Sequence, residues 1–274
     1  MPELPEVEVS RRGLLPHLPG KVLRAVRLPT LSLRHPLPAG LAEAITGRRL
    51  QGIERRAKYL LFDFEAASGG GWLLVHLGMT GSVRVLSPSQ PPGKHDHADF
   101  DFDDVRLRYC DPRRFGAIGW QPGPDVTVHP WLAHLGIEPL GEQFDGDWLY
   151  TQIRSRSAPI KQVLMDGNWL VGVGNIYASE SLFRAGISPK TAANRLSRER
   201  CRKLAESVRE TLAAAIEAGG STIRDFIHTE GMGYFQLQYG VYGRAGEACR
   251  RCGSGIRQIR QGGRSTFYCP NCQK

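Results

Sequence analysis

Two patterns in this 274-residue chain set reactive groups at spacings that chemistry can use. The first is Cys249-x2-Cys252, a sixteen-residue spacer, then Cys269-x2-Cys272. Each pair can offer two thiolates to one tetrahedral ion, and the spacer suits a β-hairpin joining the pairs. Four cysteines leave no position for water, so the pattern calls for one structural Zn2+. A zinc hydrolase would need an open position. The second pattern is the opening Met1-Pro2-Glu3-Leu4-Pro5-Glu6-Val7-Glu8. Removal of Met1 exposes a secondary amine at Pro2. An α-amino group titrates near ~8 against ~10.4 for lysine, so a useful fraction is unprotonated at neutral pH. An amine nucleophile beside a carboxylate is an apparatus for Schiff-base chemistry. Glu3 and Glu6, three apart, share a face near the positive end of a helix. By themselves these eight residues read more simply as acidic helix capping.

The formal net charge is +9, and +6 of it falls between Gly240 and Lys274, where seven Lys and Arg face one acid, Glu247. A polyanionic partner is therefore expected to meet the C-terminal end. No apolar run approaches the ~20 residues that cross a bilayer, and the acidic start is no signal peptide. These features predict a cytoplasmic chain, associated with the nucleoid once its partner is considered. Paired cysteines in such a chain point to metal rather than disulfides, while Cys110 and Cys201 stand alone.

The elements that must position these groups follow from periodicity and punctuation. Residues 5–18 read as a helix, with Pro5 in the first turn and Gly13 and Pro16 weakening its end. Tyr59–Phe62 and Trp72–Val75 are apolar strand runs. Val105, Leu107 and Tyr109 alternate with Arg106 and Arg108, which predicts a half-buried strand with a basic outer face. His95, Asp96, His97 and Asp99 read as a polar strand edge rather than a second metal site. Two short helices are expected over 159–186, broken at Gly172-Val173-Gly174, and a longer one over 197–218 that buries Cys201, Leu204, Val208, Leu212, Ala215 and Ile216. The fold class is α+β. A β-sandwich with a leading helix spans 1–130, a helical domain 131–238, and a zinc hairpin 239–274. No Walker-type loop or dinucleotide fingerprint is present, so no nucleotide cofactor is implied. Nothing demands more than a monomer.

Seven segments in order along the chain resemble bacterial formamidopyrimidine-DNA glycosylase. They are Pro2–Glu8, Arg56–Leu60, His76–Gly81, Lys94–His97, Asp111–Gly116, Val171–Glu180 and the four-cysteine tail with Arg264–Cys269. Leu4 and the Arg113-Arg114-Phe115 run favour the purine-directed branch over endonuclease VIII. The resemblance implies a helix–two-turn–helix element, and an enzyme that takes oxidised purines out of double-stranded DNA and cleaves the strand. DNA would lie in a cleft between the two larger domains. Pro2 would be the nucleophile at the sugar C1′, Glu3 the general acid and base, and Glu6 a support for the N-terminal segment. Lys58 would touch phosphate near the lesion and serve in elimination. Lys161, His76, Asn175, Tyr177 and Arg264 are likewise implied at the DNA. Met79, Arg113 and Phe115 match the wedge that fills the space of an extruded nucleotide, and Thr222 falls in the damaged-base loop. Where some relatives carry an acid after the wedge methionine, this chain has Thr80. A non-catalytic zinc-ribbon DNA binder is the rival reading.

Overall fold

The computed structural model describes residues 2–28, 32–65, 69–220 and 238–274. The described residues divide into two compact units, one running to His134 and the other comprising Leu135–Gly220 and the tail from residue 238. Thr222 lies outside the described residues.

The first unit opens with helix α1 (Leu4–Leu14). The expected helix stops short of residue 18 because Pro16 cannot continue it and restricts the residue before it. Strand β1 (Leu23–Arg27) and a short helix α2 (Leu41–Ile45) follow. Next come β2 (Leu50–Arg56), β3 (Tyr59–Phe64), β4 (Gly71–His76), β5 (Ser82–Leu86), β6 (Asp96–Phe102), β7 (Arg106–Cys110) and β8 (Ala117–Pro122). They form two four-stranded antiparallel sheets, ordered β1-β6-β7-β5 and β2-β3-β4-β8. One core joins them. Leu23, Phe100 and Leu107 come from the first sheet, Leu60, Phe62 and Val75 from the second, and Val7 and Leu14 from α1. This is the expected sandwich with its leading helix.

Helix α1 is fastened to the sandwich by charge as well as by apolar packing. Glu8 receives Arg11 at 2.8 Å, Arg12 at 3.1 Å and, from β2, Arg55 at 3.3 Å. Arg11 also donates to the Ile53 carbonyl at 3.2 Å. These bonds fix where the chain start sits.

Two expectations fail on the first sheet. Its Arg108 is 1% exposed, so β7 has no basic outer face. The cause is on the neighbouring strand, where Asp99 takes two hydrogen bonds from Arg108, at 2.7 and 3.0 Å, and Asp101 takes two from Arg106, at 2.5 and 2.9 Å. Nor is the His95–Asp99 region a strand edge. Strand β6 lies inside the sheet, between β1 and β7, and Asp96 meets Arg84 at 2.6 Å. Period-two alternation marks which residues share a face, but it does not say what covers that face. Here two further carbonyls, Gln90 and Pro91, close over Arg108 at 2.9 and 2.8 Å.

The second unit contains α3 (Gly146–Ile153), α4 (Ile160–Leu164), α5 (Asn175–Ala185) and α6 (Arg198–Glu217), then the hairpin β9 (Arg257–Gln261) and β10 (Arg264–Tyr268). Helix α6 starts at Ser197, whose hydroxyl caps the Arg200 N–H, and it buries the six residues its periodicity marks. Gly146 lets α3 cross α6 closely, since a Cβ there would stand 2.2 Å from the Arg202 Cα. Helices α4 and α5 flank the expected break, and Gly172 takes a positive φ of 79° within it. The hairpin turns through Gly262 and Gly263, both at positive φ, as a tight two-residue turn requires.

Breaking a buried ion pair leaves a desolvated charge behind. Burial alone would push the Asp99 carboxyl up, but hydrogen bonds from Arg108 and Arg27 outweigh it and hold the group below its ordinary value. That contribution to stability is present above the ordinary carboxylate range and is lost as the pH falls through the lowered value. Asp99→Ala should cost about 3–5 kcal/mol in urea unfolding at pH 7. The deficit should shrink as the pH is lowered below the ordinary carboxylate value toward the lowered one.

Candidate functional site

The four thiolates converge as the spacing requires. All four Sγ atoms lie within 4.8 Å of one another, with Cys252 and Cys269 3.5 Å apart and Cys249 and Cys272 3.9 Å apart. Tetrahedral Zn–S bonds of ~2.3 Å put sulfurs about 3.8 Å apart, so the residues fit the ion, and these separations are far too long for disulfides. Backbone N–H groups of Arg251 and Cys272 point at the sulfurs of Cys249 and Cys269, both at 3.4 Å. Bound by these four sulfurs, a zinc ion would hold the ribbon shut. Its own apolar cluster is small: Val241, Cys249, Ile256, Phe267 and Cys269, with Phe183 contributed by α5.

Charge and shape tie this ribbon to the helices. Lys161, on α4, is 1% exposed. Its ammonium donates to Asn175 Oδ1 at 2.6 Å, the Ser265 carbonyl at 3.1 Å and Thr266 Oγ1 at 2.7 Å. Asn175, first residue of α5, donates in turn to the Ser265 carbonyl at 3.0 Å. Glu180, one turn on, accepts the backbone N–H groups of Gly240, Val241 and Tyr242 at 2.7–3.0 Å. Sequence reasoning missed this latch, since only the fold brings 180 and 240 together. Lys161 and Tyr177, implied at the DNA by the resemblance, both have buried side chains, and Tyr177 has no exposed area at all. Lys161 spends its donors inside the protein, and Tyr177 belongs to the core side of α5. The exposed cations on the two hairpin strands are Arg257, Arg260 and Arg264. Pairing of Arg264 with Gln261 and of Arg260 with Ser265 puts Arg260 on the opposite face of the ribbon from Arg257 and Arg264.

In the first unit, Pro2 immediately precedes the N-cap residue of α1. The reciprocal cap is present: the Glu3 N–H donates to Glu6 Oε2 at 2.8 Å, and the Glu3 side chain answers the Glu6 N–H. Pro2, Glu3 and Glu6 are buried in the chain that carries Met1. Lys58 occupies the turn between β2 and β3, following Ala57, which takes a left-handed φ of 54°. Directly across the β3–β4 pair, Tyr59 opposes His76 with ring centroids 4.8 Å apart. His76 Nδ1 accepts the Gly78 N–H at 3.1 Å, which leaves Nε2 to carry the proton of the neutral ring. Burial, and then the charges of Lys58 and Arg34, push its pKa down to about 4. Arg34 and the neighbouring His35 were not anticipated. Arg34 is exposed, donates its backbone N–H to the Gly116 carbonyl at 3.1 Å, and adds positive charge around His76.

Two loops in this unit expose apolar side chains. Met79 is 38% and Phe115 43% exposed, two of only four large apolar residues so displayed among the described residues. Arg113 lies over the Phe115 ring, 4.6 Å from its centroid. The loops touch backbone to backbone, since a Cβ on Gly78 would stand 2.4 Å from both the Gly116 nitrogen and the Phe115 carbonyl carbon.

A β-sandwich led by a capped, proline-headed helix, a helical unit and a tetrathiolate ribbon define a zinc-bearing α+β protein of the nucleic-acid-binding kind. Family models match all three parts: the formamidopyrimidine-DNA glycosylase N-terminal domain over residues 1–118, its H2TH domain over 135–227, and the zinc finger found in FPG and IleRS over 246–274. Formamidopyrimidine-DNA glycosylases from Cupriavidus pinatubonensis and Burkholderia thailandensis are 57% and 56% identical, each over the whole of both chains. A mutant FPG from Lactococcus lactis, solved with a Fapy-dG-containing DNA, superposes with a TM-score of 0.90 at 36% identity over the full length of both chains. The MutM (FPG) protein from Thermus thermophilus gives 0.87 at 38%, covering 99% of this chain and 98% of that one. The chain belongs to the formamidopyrimidine-DNA glycosylase family of DNA-repair enzymes, with one structural zinc in its tail. No helix among the described residues is long and apolar enough to cross a membrane.

Two measurements check these assignments. Elemental analysis should find one zinc per chain, and Cys252→Ala should lower that content and the protection of the tail amides from exchange, leaving sandwich amides unchanged. An NMR titration of His76 should give a midpoint near 4, with Nε2 protonated above it. Between that value and the ordinary 6.5 the unfolded chain binds a proton the folded ring refuses, so stability rises with pH across this window. His76→Gln should remove that part of the slope. A midpoint above 6 would contradict the assignment.

Proposed function

We propose that this chain excises oxidised purines, 8-oxoguanine and formamidopyrimidines, from duplex DNA and then cleaves the strand. The observation that carries the reading is the exposure of Met79 and Phe115 on adjoining loops with Arg113 over the ring. Soluble proteins bury such side chains unless something else covers them. An enzyme that works at C1′ must take its nucleotide out of the stack. An apolar wedge fills the vacated space and offsets part of the cost of unstacking. Arg113 then offers donors to the orphaned cytosine, whose acceptors are free once its partner has left. The relatives solved with lesion-bearing and abasic DNA support the same substrate class.

The chemistry rests on the chain start. With Met1 removed, the Pro2 lone pair attacks C1′ while Glu3 delivers a proton to the sugar ring oxygen. The base departs with the electrons of the glycosidic bond and takes up the proton the amine gives up, the C1′–O4′ bond breaks onto the protonated ring oxygen, and the nitrogen lone pair forms the iminium that links protein to sugar. That cation acidifies C2′, whose proton is lost as the 3′-phosphate leaves, and a second elimination releases the 5′-phosphate. Glu6 holds the Glu3 backbone, which keeps amine and carboxylate in register. Lys58 and His76 from the first unit, and Asn175 and Arg264 from the second, grip phosphates, and Lys58 passes protons during elimination. Lys161 acts through Asn175 and the Ser265 carbonyl rather than on DNA directly. Such contacts position the strand without reading its sequence.

Sodium borohydride trapping on a duplex with 8-oxoguanine opposite cytosine tests this. The wild-type chain should form a covalent adduct, and intact mass should show Met1 absent. Pro2→Gly should lose most trapping and excision, and Glu3→Gln should slow excision by roughly 10²–10⁴-fold. Specific DNA binding with no adduct would leave a non-catalytic zinc-ribbon binder, and active protein that retains Met1 would overturn the Pro2 step.

A further inference from the structure

A carboxylate with no exposed area sits beneath the two wedge loops. Asp111 follows β7 at the head of the second loop, and four donors surround its oxygens. Oδ1 accepts Thr80 Oγ1 at 2.5 Å and the Arg113 N–H at 3.3 Å, while Oδ2 accepts the Tyr109 hydroxyl at 3.0 Å and the Gly116 N–H at 2.8 Å. Thr80 belongs to the first loop, next to Met79. Arg113 and Gly116 bracket Phe115 in the second. Thr80 Oγ1 also accepts the Arg113 N–H at 3.2 Å, so one hydroxyl bridges both loops. Among the described residues no cation lies within ion-pair distance of Asp111. Among the described residues its oxygens are met by these oriented donors, so any shift of either loop leaves a buried carboxyl group short of partners.

The space around it allows little play. A Cβ on Gly116 would stand 1.8 Å from the Tyr109 hydroxyl and 2.5 Å from the His76 carbonyl, and one on Gly81 would stand 2.2 Å from the Leu77 carbonyl. Arg114 takes a left-handed φ of 56°, a conformation a non-glycine residue keeps only when its surroundings impose it. Its N–H donates to the Asp111 carbonyl at 3.2 Å.

We propose that Asp111 and Thr80 are positioning residues that lock the two wedge loops into one rigid unit, so that Met79, Arg113 and Phe115 enter the base stack together. This rests on the wedge reading above and deepens it. It gives Thr80 a duty in this chain that is mechanical: its hydroxyl is spent on Asp111 and Arg113, not on recognising the damaged base. A wedge held ready loses no conformational freedom on insertion, whereas loops that must order themselves do so at the expense of extrusion.

Thr80→Val keeps shape and removes the hydroxyl, Thr80→Ser restores it, and Asp111→Asn removes the charge. Zinc content and affinity for undamaged duplex should stay at wild-type values in both Thr80 variants, while the melting temperature should hold in Thr80→Ser and fall in Thr80→Val, which takes one donor from a buried carboxylate but leaves the protein folded at the assay temperature. In Thr80→Val, single-turnover excision of 8-oxoguanine opposite cytosine should fall about tenfold or more, with a matching loss of the fluorescence rise from 2-aminopurine placed beside the lesion. Cleavage at a preformed abasic site, where no base has to be extruded, should change by less than about twofold. Thr80→Ser should recover excision, and Asp111→Asn should follow Thr80→Val. Wild-type excision by Thr80→Val, or equal loss on both substrates, would overturn the proposal. A Met79→Ala, Phe115→Ala double variant run alongside separates the two readings: if it excises 8-oxoguanine normally, the wedge itself falls, and if it is impaired while Thr80→Val is not, only the locking role falls.

Discussion

A charge removed from water must be answered where it lies, and that constraint shapes each part of this molecule. Leaving such a group short of partners costs several kcal/mol, more than most single contacts return. Asp99 fixes how β7 lies against β6, because Arg108 must reach both of its oxygens. Glu8 fixes α1 on β2 through Arg55. Lys161 fixes α4, the start of α5 and β10 with one ammonium. Glu180 fixes the entry to the ribbon, where burial pushes its carboxyl up against the pull of three amides. Apolar packing gives both units their bulk, but it is indifferent to small rotations. The buried charges are directional, and they turn a compact chain into one with defined loop positions.

Much of this was legible from the residues in order, and the rest was hidden for identifiable reasons. The four-cysteine spacing carries its own geometry, because tetrahedral coordination admits few arrangements of two close pairs. The periodicity of α6 and its Ser197 cap are local, and both are found in place. The basic face assigned to β7 failed because alternation cannot reveal that Asp99 lies on the adjacent strand. The strand-edge reading of 95–99 failed for the same reason, since strand order in a sheet is a long-range property. Helices α2 and α3 were missed because five and eight residues give little periodicity to detect. Met79 and Phe115 were singled out by the resemblance, and only the structure explains the glycines beside them: they permit backbone contact between two loops that are distant in sequence.

The chain start joins structure and chemistry in one motif. A reciprocal cap satisfies amides that α1 would otherwise leave unpaired, which is reason enough for acids at positions 3 and 6. The same bonds hold the residue next to Pro2 in a single conformation. The capping reading and the catalytic reading of these eight residues are therefore compatible. A motif that only capped a helix would tolerate Ser or Asp in place of Glu3, whereas one that also moves a proton needs the reach and acidity of the longer carboxylate.

The ribbon's ligands are unevenly sheltered. Cys249 and Cys269 are buried, and Cys252 is exposed. Oxidants and rival metals therefore meet the cluster at one edge, and attack there opens a coordination position while the other three sulfurs still hold the ion. Loss of metal from the ribbon should therefore begin at Cys252, and a thiol reductant with zinc should reverse its early stages.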